Sequence, residues 1–328
     1  MHKPFLLAVT AMSAGALFLG ITGAGDDVTR HDRTLHPAVV ADHGRVLAGT
    51  HVTAPALSIA PSPLMEGVQI GRSAHRSPVQ LLRVEVRDVL PHDPRVFTQG
   101  LEFRGATLYE STGLVGQSSV RAGPPGRPPM VRAELPVPLF GEGITVAGDR
   151  LWQLTWRNGI AIERDPQTLR ERRRVTYQGE GWGLCHQRVA GQERLVMSDG
   201  TDRLTFRDPD TFEATGGISV RQDGRPATGL NELECAPNGS VYANVYPTDT
   251  IRRIDPHTGI VTANLDASAL LTPSERRGAK QLNGIAAVPG TDLFLITGKN
   301  WPRAFRVAFV PGSRGSLPGG RQRTAPSK

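Results

Sequence analysis

Short apolar stretches recur at regular intervals between residues 80 and 311, and turn residues separate them. Each repeat opens with a motif of the form x-Gly-(Leu/Ile)-x, and one copy has Glu in the place of Gly. An internal period of about 40 to 50 residues is typical of propellers and solenoids. The five copies lie about 40 to 52 residues apart and begin at Gln99, Glu142, Trp182, Asn231 and Asn283.

Further strands follow each motif. The second is apolar, as in residues 151–156 and 241–245, and the third runs into an Asp-Pro-x-Thr turn in three of the repeats. Asp accepts backbone N–H groups at the start of such a turn, and Pro presets φ at the next position. Four antiparallel strands per repeat, five times over, predict an all-β fold, a five-bladed β-propeller.

The last repeat has only three strands, which end near residue 309. A spare strand precedes the first repeat, because residues 82–87 alternate apolar and charged side chains as a half-buried strand does. If this strand completes the last blade, the ring closes without an exposed edge. The sequence therefore predicts one catalytic propeller domain over residues 80–311, with its last blade closed by an N-terminal strand.

The two ends of the chain differ from the repeats. Residues 1–25 combine a basic start, an apolar stretch and small residues, which is the pattern of a signal peptide and implies a secreted or periplasmic protein. The apolar stretch is nearly long enough to span a bilayer, so an uncleaved anchor stays open as the alternative. Residues 26–79 are rich in Ala, Pro and Ser and predict a flexible linker, and residues 312–328 predict a disordered basic tail.

The chain has two cysteines, Cys185 and Cys235. An exported protein could pair them. In the alignment of the repeats, however, they lie one position out of register in adjacent repeats, and successive side chains on a strand point to opposite faces. We therefore expect two separate buried thiols.

The formal net charge of +7 changes this interpretation little. Arg172, Arg173 and Arg174 form the one dense basic run, and they lie in a predicted outer strand, where a solvated face is the simplest explanation. No nucleic-acid-binding motif accompanies the charge, so the sequence indicates no nucleic-acid partner. It indicates no membrane contact beyond the possible anchor, and we expect a monomer.

The inner strand of each blade of a propeller lines the central channel, so the five leading residues of the motif should meet at one axis. One carboxylate, three amides and one indole would then converge: Glu142, with Gln99, Asn231, Asn283 and Trp182. A hydrogen-bonded polar plug that only stiffens the channel would use similar residues. The spacing alone leaves both interpretations open.

Seven short motifs resemble, in order, those of the plant and bacterial type of glutaminyl cyclase, the glutaminyl-peptide cyclotransferases. The resemblance covers roughly residues 82–309. It implies a five-bladed propeller that converts the N-terminal glutamine of a peptide or protein into pyroglutamate and releases ammonia, an aminoacyltransferase reaction without the zinc of the animal-type enzymes. The motifs are residues 97–101, 140–144, 181–184, 198–201, 230–234, 282–286 and 297–301.

Transferred by motif, the resemblance implies a site in which Glu142 is the active-site carboxylate and Lys299 assists it. One position departs from the family pattern, since Tyr246 stands where the family commonly has a tryptophan after Asn-Val. A tyrosine can still stack on a substrate, but it is smaller and carries a hydroxyl group. The predicted substrate-binding residues are Phe97, Gln99, Phe140, Trp156, Trp182, Asn231, Tyr246, Asn283 and Trp301.

The chemistry suits these residues. The neutral α-amine must attack the γ-carboxamide carbon of the same residue, and the departing nitrogen must gain a proton, so one carboxyl group can serve both transfers. Burial against the aromatic residues should raise the pKa of Glu142. Lys299 or an Asn amide could stabilise the developing oxyanion. The reaction needs no cofactor, although a structural calcium ion in the channel stays open.

Two other functions compete with this one. A metal-dependent propeller hydrolase or lactonase could use Glu142, Asn231 and Asn283 as oxygen ligands for calcium. Trp182 and Gln99 fit such a site poorly, and sensitivity to a chelator would distinguish it. A non-catalytic binding module is the second alternative, because many propellers only bind partners.

Overall fold

The computed structural model describes residues 78–189 and 191–312, and strands dominate this part of the chain. The prediction of an all-β protein is confirmed. The predicted signal peptide, nearly all of the predicted linker and all but the first residue of the predicted tail lie outside the described residues. Within them, no helix is both long enough and apolar enough to cross a membrane.

The strands are short and follow one another closely, as the turn-rich sequence predicts. A single helical turn, α1 (Pro273–Arg276), precedes β20. In chain order the strands are β1 (Gln80–Pro91), β2 (Thr98–Arg104), β3 (Thr107–Thr112), β4 (Ser119–Gly123), β5 (Val131–Glu134), β6 (Gly141–Ala147), β7 (Arg150–Thr155), β8 (Ile160–Arg164), β9 (Glu171–Thr176), β10 (Leu184–Val189), β11 (Gln192–Ser198), β12 (Arg203–Arg207), β13 (Ala214–Ser219), β14 (Arg221–Gln222), β15 (Arg225–Pro226), β16 (Leu230–Cys235), β17 (Val241–Val245), β18 (Thr250–Ile254), β19 (Val261–Asp266), β20 (Leu282–Ala287), β21 (Phe294–Gly298) and β22 (Arg303–Pro311).

Three four-stranded sheets come first, with the strands in simple sequence order: β2 to β5, β6 to β9 and β10 to β13. All their neighbouring strands pair antiparallel. Connections of a few residues can join antiparallel strands. Three turns in the described residues begin at Asp165, Asp208 and Asp255, and in each the Oδ1 atom of the aspartate accepts the backbone N–H group two residues further on. These are the three Asp-Pro-x-Thr turns of the sequence.

The remaining strands form one eight-stranded sheet in the order β16-β17-β18-β19-β1-β22-β21-β20. The strand β1, from the N-terminal side of the domain, lies between the last strands of two repeats. It pairs antiparallel with β22 from Leu82 opposite Pro311 to Pro91 opposite Arg303. It also pairs parallel with β19, beginning with Gln80 opposite Ala263.

The first strand of each repeat packs against the first strand of the next. Contacts run from β2 to β6, β6 to β10, β10 to β16, β16 to β20 and from β20 back to β2. These five strands therefore surround a common axis. The apolar core lies between the sheets, with fully buried side chains such as Trp152, Ile144, Leu184 and Ile285. The polar leading residues of the motif are thereby placed around one point.

The prediction of separate thiols is wrong, because Cys185 and Cys235 form a disulfide. Cys185 lies on β10 and Cys235 ends β16, and both pack in the cluster of apolar side chains between the two sheets. Sheets that stack face to face present opposite faces to each other. Residues at the same position of two aligned repeats point to the same face of their sheets, and a shift of one position gives the opposite face. Two residues that meet across the interface therefore differ by an odd number of positions in the alignment. The one-residue offset of the two cysteines therefore favours the disulfide.

Removing this disulfide is expected to lower the free energy of unfolding by about 4 kcal/mol, because the bond closes a loop of 50 residues in the unfolded chain. The double variant Cys185→Ala/Cys235→Ala should unfold at a lower denaturant concentration than the wild type. A reductant should destabilise the wild type and leave the double variant unchanged. Equal midpoints for the two proteins under oxidising conditions would contradict the prediction.

The dense basic run lies on the outer strand β9, as predicted. The three arginines meet acidic partners: Arg172 contacts Asp165 at 2.7 Å, Arg173 contacts Glu163 at 2.5 Å and Arg174 contacts Glu171 at 2.7 Å. Much of the positive charge of this strand is therefore compensated locally.

Candidate active site

The motif glycines let the inner strands approach one another closely. A Cβ atom on Gly100 would lie 2.7 Å from the backbone nitrogen of Ile144, and one on Gly143 would lie 2.6 Å from that of Leu184. Side chains larger than hydrogen would push these strands apart. In the fourth copy, Glu232 replaces the glycine and its carboxylate accepts the backbone N–H groups of Leu101 and Ile285, at 3.0 and 2.8 Å. This side chain links three inner strands.

Glu142 is almost fully buried and is linked to two other leading residues. Its Oε1 atom accepts a hydrogen bond from Gln99 Nε2 at 2.5 Å, and the Oε1 of Gln99 accepts one from Asn283 Nδ2 at 3.0 Å. The Oε2 atom of Glu142 is buried and contacts no donor among the described residues. One oxygen is thus held in place, and the other is available to a substrate.

The pKa of Glu142 lies well above its usual value. Burial is the main cause, the ammonium group of Lys299 opposes it, and the carboxylate of Glu180 reinforces it. The direction agrees with the sequence-based expectation, since desolvation disfavours the charged form. A raised pKa makes the carboxylate a stronger proton acceptor, and the carboxyl group that forms can return the proton.

Lys299 faces the same space. Burial lowers its pKa, and the charge of Glu142 opposes this effect. Its Nζ atom lies 5.0 Å from the ring centre of Phe97 and 5.6 Å from that of Tyr246, distances at which a cation is attracted to an aromatic face. The turn that carries it is fixed, because the backbone N–H of Lys299 donates to Gln281 O at 3.0 Å and that of Asn300 donates to Val96 O at 2.7 Å.

Aromatic side chains line the site in two groups. The ring centres of Phe97 and Phe140 are 6.3 Å apart, and those of Phe140 and Trp156 are 5.5 Å apart. Trp182 meets Tyr246 edge to face at 5.8 Å. Five of the six predicted aromatic residues of the pocket therefore belong to these two groups, and Tyr246 packs against Trp182.

Amide groups complete the polar part of the site. Asn231 and Asn283 are buried, and the Oδ1 atom of each accepts no hydrogen bond from the described residues. Buried acceptors without a partner are costly. Two such atoms at leading positions of the motif favour a binding site over a fully satisfied plug.

Comparisons with known proteins agree with this geometry. The family model of glutamine cyclotransferase matches residues 59–309. A curated glutaminyl-peptide cyclotransferase of Arabidopsis thaliana is 38% identical over 237 residues, which is 70% of this chain and 72% of that protein. The chain belongs to the glutamine cyclotransferase family. The crystal structure of the glutaminyl cyclase of Myxococcus xanthus is similar at a TM-score of 0.64 and 38% identity, and the match covers 72% of this chain and all of that one.

Trp301 is the one predicted pocket residue that lies elsewhere in this family member. Its side chain is fully buried in the apolar cluster beneath the site, and its Nε1 donates to Lys280 O at 3.0 Å. A Cβ atom on Gly298 would collide with the indole. Trp301 therefore supports the turn that carries Lys299.

Sequence reasoning missed Glu180 at the mouth of the cyclotransferase site. Its Oε2 atom accepts hydrogen bonds from Trp156 Nε1 at 2.8 Å and from Trp182 Nε1 at 2.9 Å. It precedes the third motif by one residue, and no repeat pattern distinguishes it. Its only sequence signal is its place next to residues 181–184.

A second set of carboxyl groups lies around the axis outside the leading positions. Burial raises the pKa values of Glu102, Glu232 and Glu234, and the charge of Glu102 raises the pKa of Glu234 further. Glu102 accepts a hydrogen bond from Thr145 Oγ1 at 2.7 Å. Across residues 78–189 and 191–312, no three carboxylate, histidine or cysteine groups converge closely enough to hold a metal ion.

These carboxyl groups should make stability depend on pH. Burial raises the pKa of Glu102 to about 7, above the value of 4.5 in the unfolded chain, so the folded state holds the extra proton. Stability therefore falls as pH rises from about 4.5 through 7. Glu102→Gln removes the ionisation and should stabilise the protein at pH 8 by on the order of 3 kcal/mol, and at pH 4 by little.

Glu110 is the control for Glu102, because its pKa is lowered in the folded protein and its effect on stability has the opposite dependence on pH. Burial opposes its ionisation, but the charges and hydrogen bonds of His92 and Arg121 lower its pKa to about 2. Its contribution is present above pH 4.5 and is lost as pH falls towards 2. Glu110→Gln should therefore destabilise the protein at pH 8. Thermal unfolding at pH 4 and pH 8 would test Glu102→Gln, and thermal unfolding at pH 2 and pH 8 would test Glu110→Gln. For either variant, equal shifts at its two pH values would contradict the prediction.

Proposed function

We propose that this protein is a glutaminyl-peptide cyclotransferase, which converts the N-terminal glutamine of peptides or proteins into pyroglutamate and releases ammonia. One observation carries the proposal for the site: Glu142 is buried beside Lys299, with one oxygen fixed by Gln99 and the other without a partner among the described residues. The family membership and the named relatives support the reaction. They do not favour the metal-dependent hydrolase.

Glu142 carries the proton. The α-amine nitrogen attacks the γ-carboxamide carbon and forms a tetrahedral intermediate with a negative oxygen and a positive nitrogen. The Oε2 atom of Glu142 takes a proton from that nitrogen and returns it to the departing amide nitrogen, which leaves as ammonia. The carboxylate is restored, so the reaction is an acyl transfer within one residue and needs no other acid or base.

Lys299 and the asparagines hold the reacting groups. The Nζ of Lys299 is a buried donor that can stabilise the negative oxygen of the intermediate. The free Oδ1 atoms of Asn231 and Asn283 can accept N–H groups of the substrate. The aromatic wall excludes water and keeps the glutamine side chain folded back on its amine, and orientation of this kind is worth effective molarities of about 10⁵ M or more.

We propose metal-independent catalysis, in accord with the acid–base chemistry of Glu142. The decisive measurement is ammonia release from a dipeptide with N-terminal glutamine, with and without a chelator. We expect equal rates in both. The same dipeptide with an acetylated α-amine is the matched control, because its nitrogen is no longer a nucleophile. Absence of ammonia from the free dipeptide would contradict the proposed function, and loss of activity with chelator would favour the metal hydrolase.

We propose that the sheets are the five blades of a β-propeller. Three blades are the separate four-stranded sheets, and the eight-stranded sheet supplies two: β16 to β19, and β20 to β22 with β1. The circular contacts of the five inner strands support this arrangement. In it, β1 is the outer strand that closes the last blade.

The proposed enzyme is exported and monomeric. The Cys185–Cys235 disulfide supports export, because such bonds persist in oxidising compartments. We expect mass spectrometry of the exported protein to show a new N-terminus close to Asp26, at the end of the predicted signal peptide. An intact Met1 in the membrane fraction would show that the segment is an anchor instead.

A further inference from the structure

Glu180 joins two walls of the site through one oxygen atom. Its Oε2 accepts the indole N–H groups of Trp156, at 2.8 Å, and of Trp182, at 2.9 Å. Its Oε1 accepts the Nε–H of Arg157 at 2.8 Å, and the guanidinium of Arg157 lies 4.0 Å from the ring centre of Trp156. Trp156 follows β7 and Trp182 precedes β10, and these strands belong to different sheets, so this carboxylate fixes the separation of the two indoles across the mouth.

We propose that Glu180 is a positioning residue, whose carboxylate brackets Trp156 and Trp182 round the glutamine side chain of the substrate. The inference rests on the proposed function, since the bracket matters only if glutamine enters between the indoles. The indoles of Trp156 and Trp182 are only partly buried. Trp152 and Trp301 are fully buried, so core packing and a backbone carbonyl hold each of them without a carboxylate. The two partly exposed tryptophans are the ones that share Glu180.

The backbone around Glu180 is held without its side chain. The N–H of Gly181 donates to Trp156 O at 2.9 Å, and the N–H of Trp182 donates to Ser198 O at 3.0 Å. The segment should therefore keep its course when the carboxylate is removed. The side chain is then needed for the indoles alone, and variants at this position should fold.

The charge of Glu180 also acts on Glu142. Burial opposes ionisation of Glu180, but hydrogen bonds from Trp182, Arg157 and Trp156 outweigh it and lower its pKa, so it is anionic at neutral pH. Burial raises the pKa of Glu142 and Lys299 lowers it, and the negative charge of Glu180 raises it further. Burial raises the pKa of the Tyr177 phenol well above its usual value and the charge of Glu142 raises it further, so this group stays neutral.

Two substitutions of Glu180 distinguish its positioning of the two indoles from the effect of its negative charge on Glu142. Glu180→Ala removes both, whereas Glu180→Gln keeps an oxygen for the two indoles and turns its nitrogen towards the exposed Arg157. Glu193→Gln is the matched control, because Glu193 is similarly exposed, 33% against 35%, and also pairs with an arginine but lies outside the site. All three remove one negative charge.

We expect Glu180→Ala to raise KM for a glutamine dipeptide about 10- to 100-fold, since two hydrogen bonds to a charged acceptor are lost. Glu180→Gln should keep KM within about threefold of the wild type. It should move the acidic limb of the pH profile of kcat/KM to lower pH, because removing a neighbouring negative charge lowers the pKa of Glu142. Glu193→Gln should change neither quantity.

Tryptophan emission supplies a readout that does not depend on turnover. Glu180→Ala should red-shift the emission, because Trp156 and Trp182 lose their fixed partner, and Glu180→Gln should restore it. Wild-type KM, pH profile and emission in both Glu180 variants would overturn the inference. If the wild type releases no ammonia, the proposed function fails, and unchanged emission in Glu180→Ala would separately refute the bracket. Should Glu180→Ala not fold, Glu180→Ser replaces it in the same KM and emission measurements, and the pH profile of Glu180→Gln tests the effect of the charge separately.

Discussion

Glu142→Gln is expected to lower turnover of a glutamine dipeptide by about 10² to 10⁴, the usual contribution of a positioned acid–base group. The amide has the size and shape of the carboxyl group and can still accept the hydrogen bond from Gln99 Nε2. It cannot take a proton from the attacking amine and return it to ammonia. KM should change much less than kcat, and steady-state rates with circular dichroism would check both.

Glu102→Gln is the matched control. Glu102 lies on an inner strand, as Glu142 does, and burial raises its pKa too, but it contacts Thr145 and belongs to the second set of carboxyl groups. The expected loss of activity is far smaller than for Glu142→Gln. Near-normal turnover in folded Glu142→Gln would contradict the mechanism, and the channel would then be better described as a polar plug.

The repeat pattern made most of the site predictable. A glycine motif recurs five times because inner strands can approach closely only where a Cβ atom is absent, as at Gly100 and Gly143. Once the strands surround one axis, the residue before each glycine must point to the same region. Gln99, Glu142 and Asn283 are indeed linked by hydrogen bonds. The resemblance added Lys299 and the aromatic residues, which spacing alone does not identify.

The errors arose where side chains meet between repeats. The cysteines were judged by the alternation along single strands, although contacts between stacked sheets join opposite faces. Trp301 follows Lys299 closely in sequence, but at Asn300 φ is +59°, and the indole packs into the core below. Glu180 was missed because its role depends on two indoles from separate repeats. Such contacts leave no periodic signal.

Deletion of β1 tests whether this strand closes the last sheet. Among the changes considered, it should lower the stability of the fold most. We expect both the full chain and a protein lacking residues 26–75 to unfold cooperatively, because this deletion leaves β1 intact. We expect a protein lacking residues 1–90 to show no cooperative transition. That deletion takes all but the last residue of β1 and therefore both of its ladders, to β22 and to β19.

The physical reason lies on both sides of β1. Leu82 and Val84 pack against the buried cluster that includes Tyr242 and Phe294, so their loss uncovers apolar side chains. The backbone groups of β22 that face β1 also lose their partners, which leaves an open edge prone to association. Thermal unfolding followed by circular dichroism, with light scattering to detect aggregation, would measure both effects.

A peptide with the sequence of β1 can show whether the protein lacking residues 1–90 fails to fold because it has lost the pairing partner of β22 or for another reason. A synthetic peptide of residues 78–91 should restore a cooperative transition, because it supplies the same ladder to β22 and the same apolar side chains. A peptide in which Leu82 and Val84 are replaced by Asp should not, since a carboxylate cannot be buried against Tyr242 and Phe294 without a partner. A stable and active protein lacking residues 1–90 would overturn the closure of the last blade by β1, even if the other four blades are present.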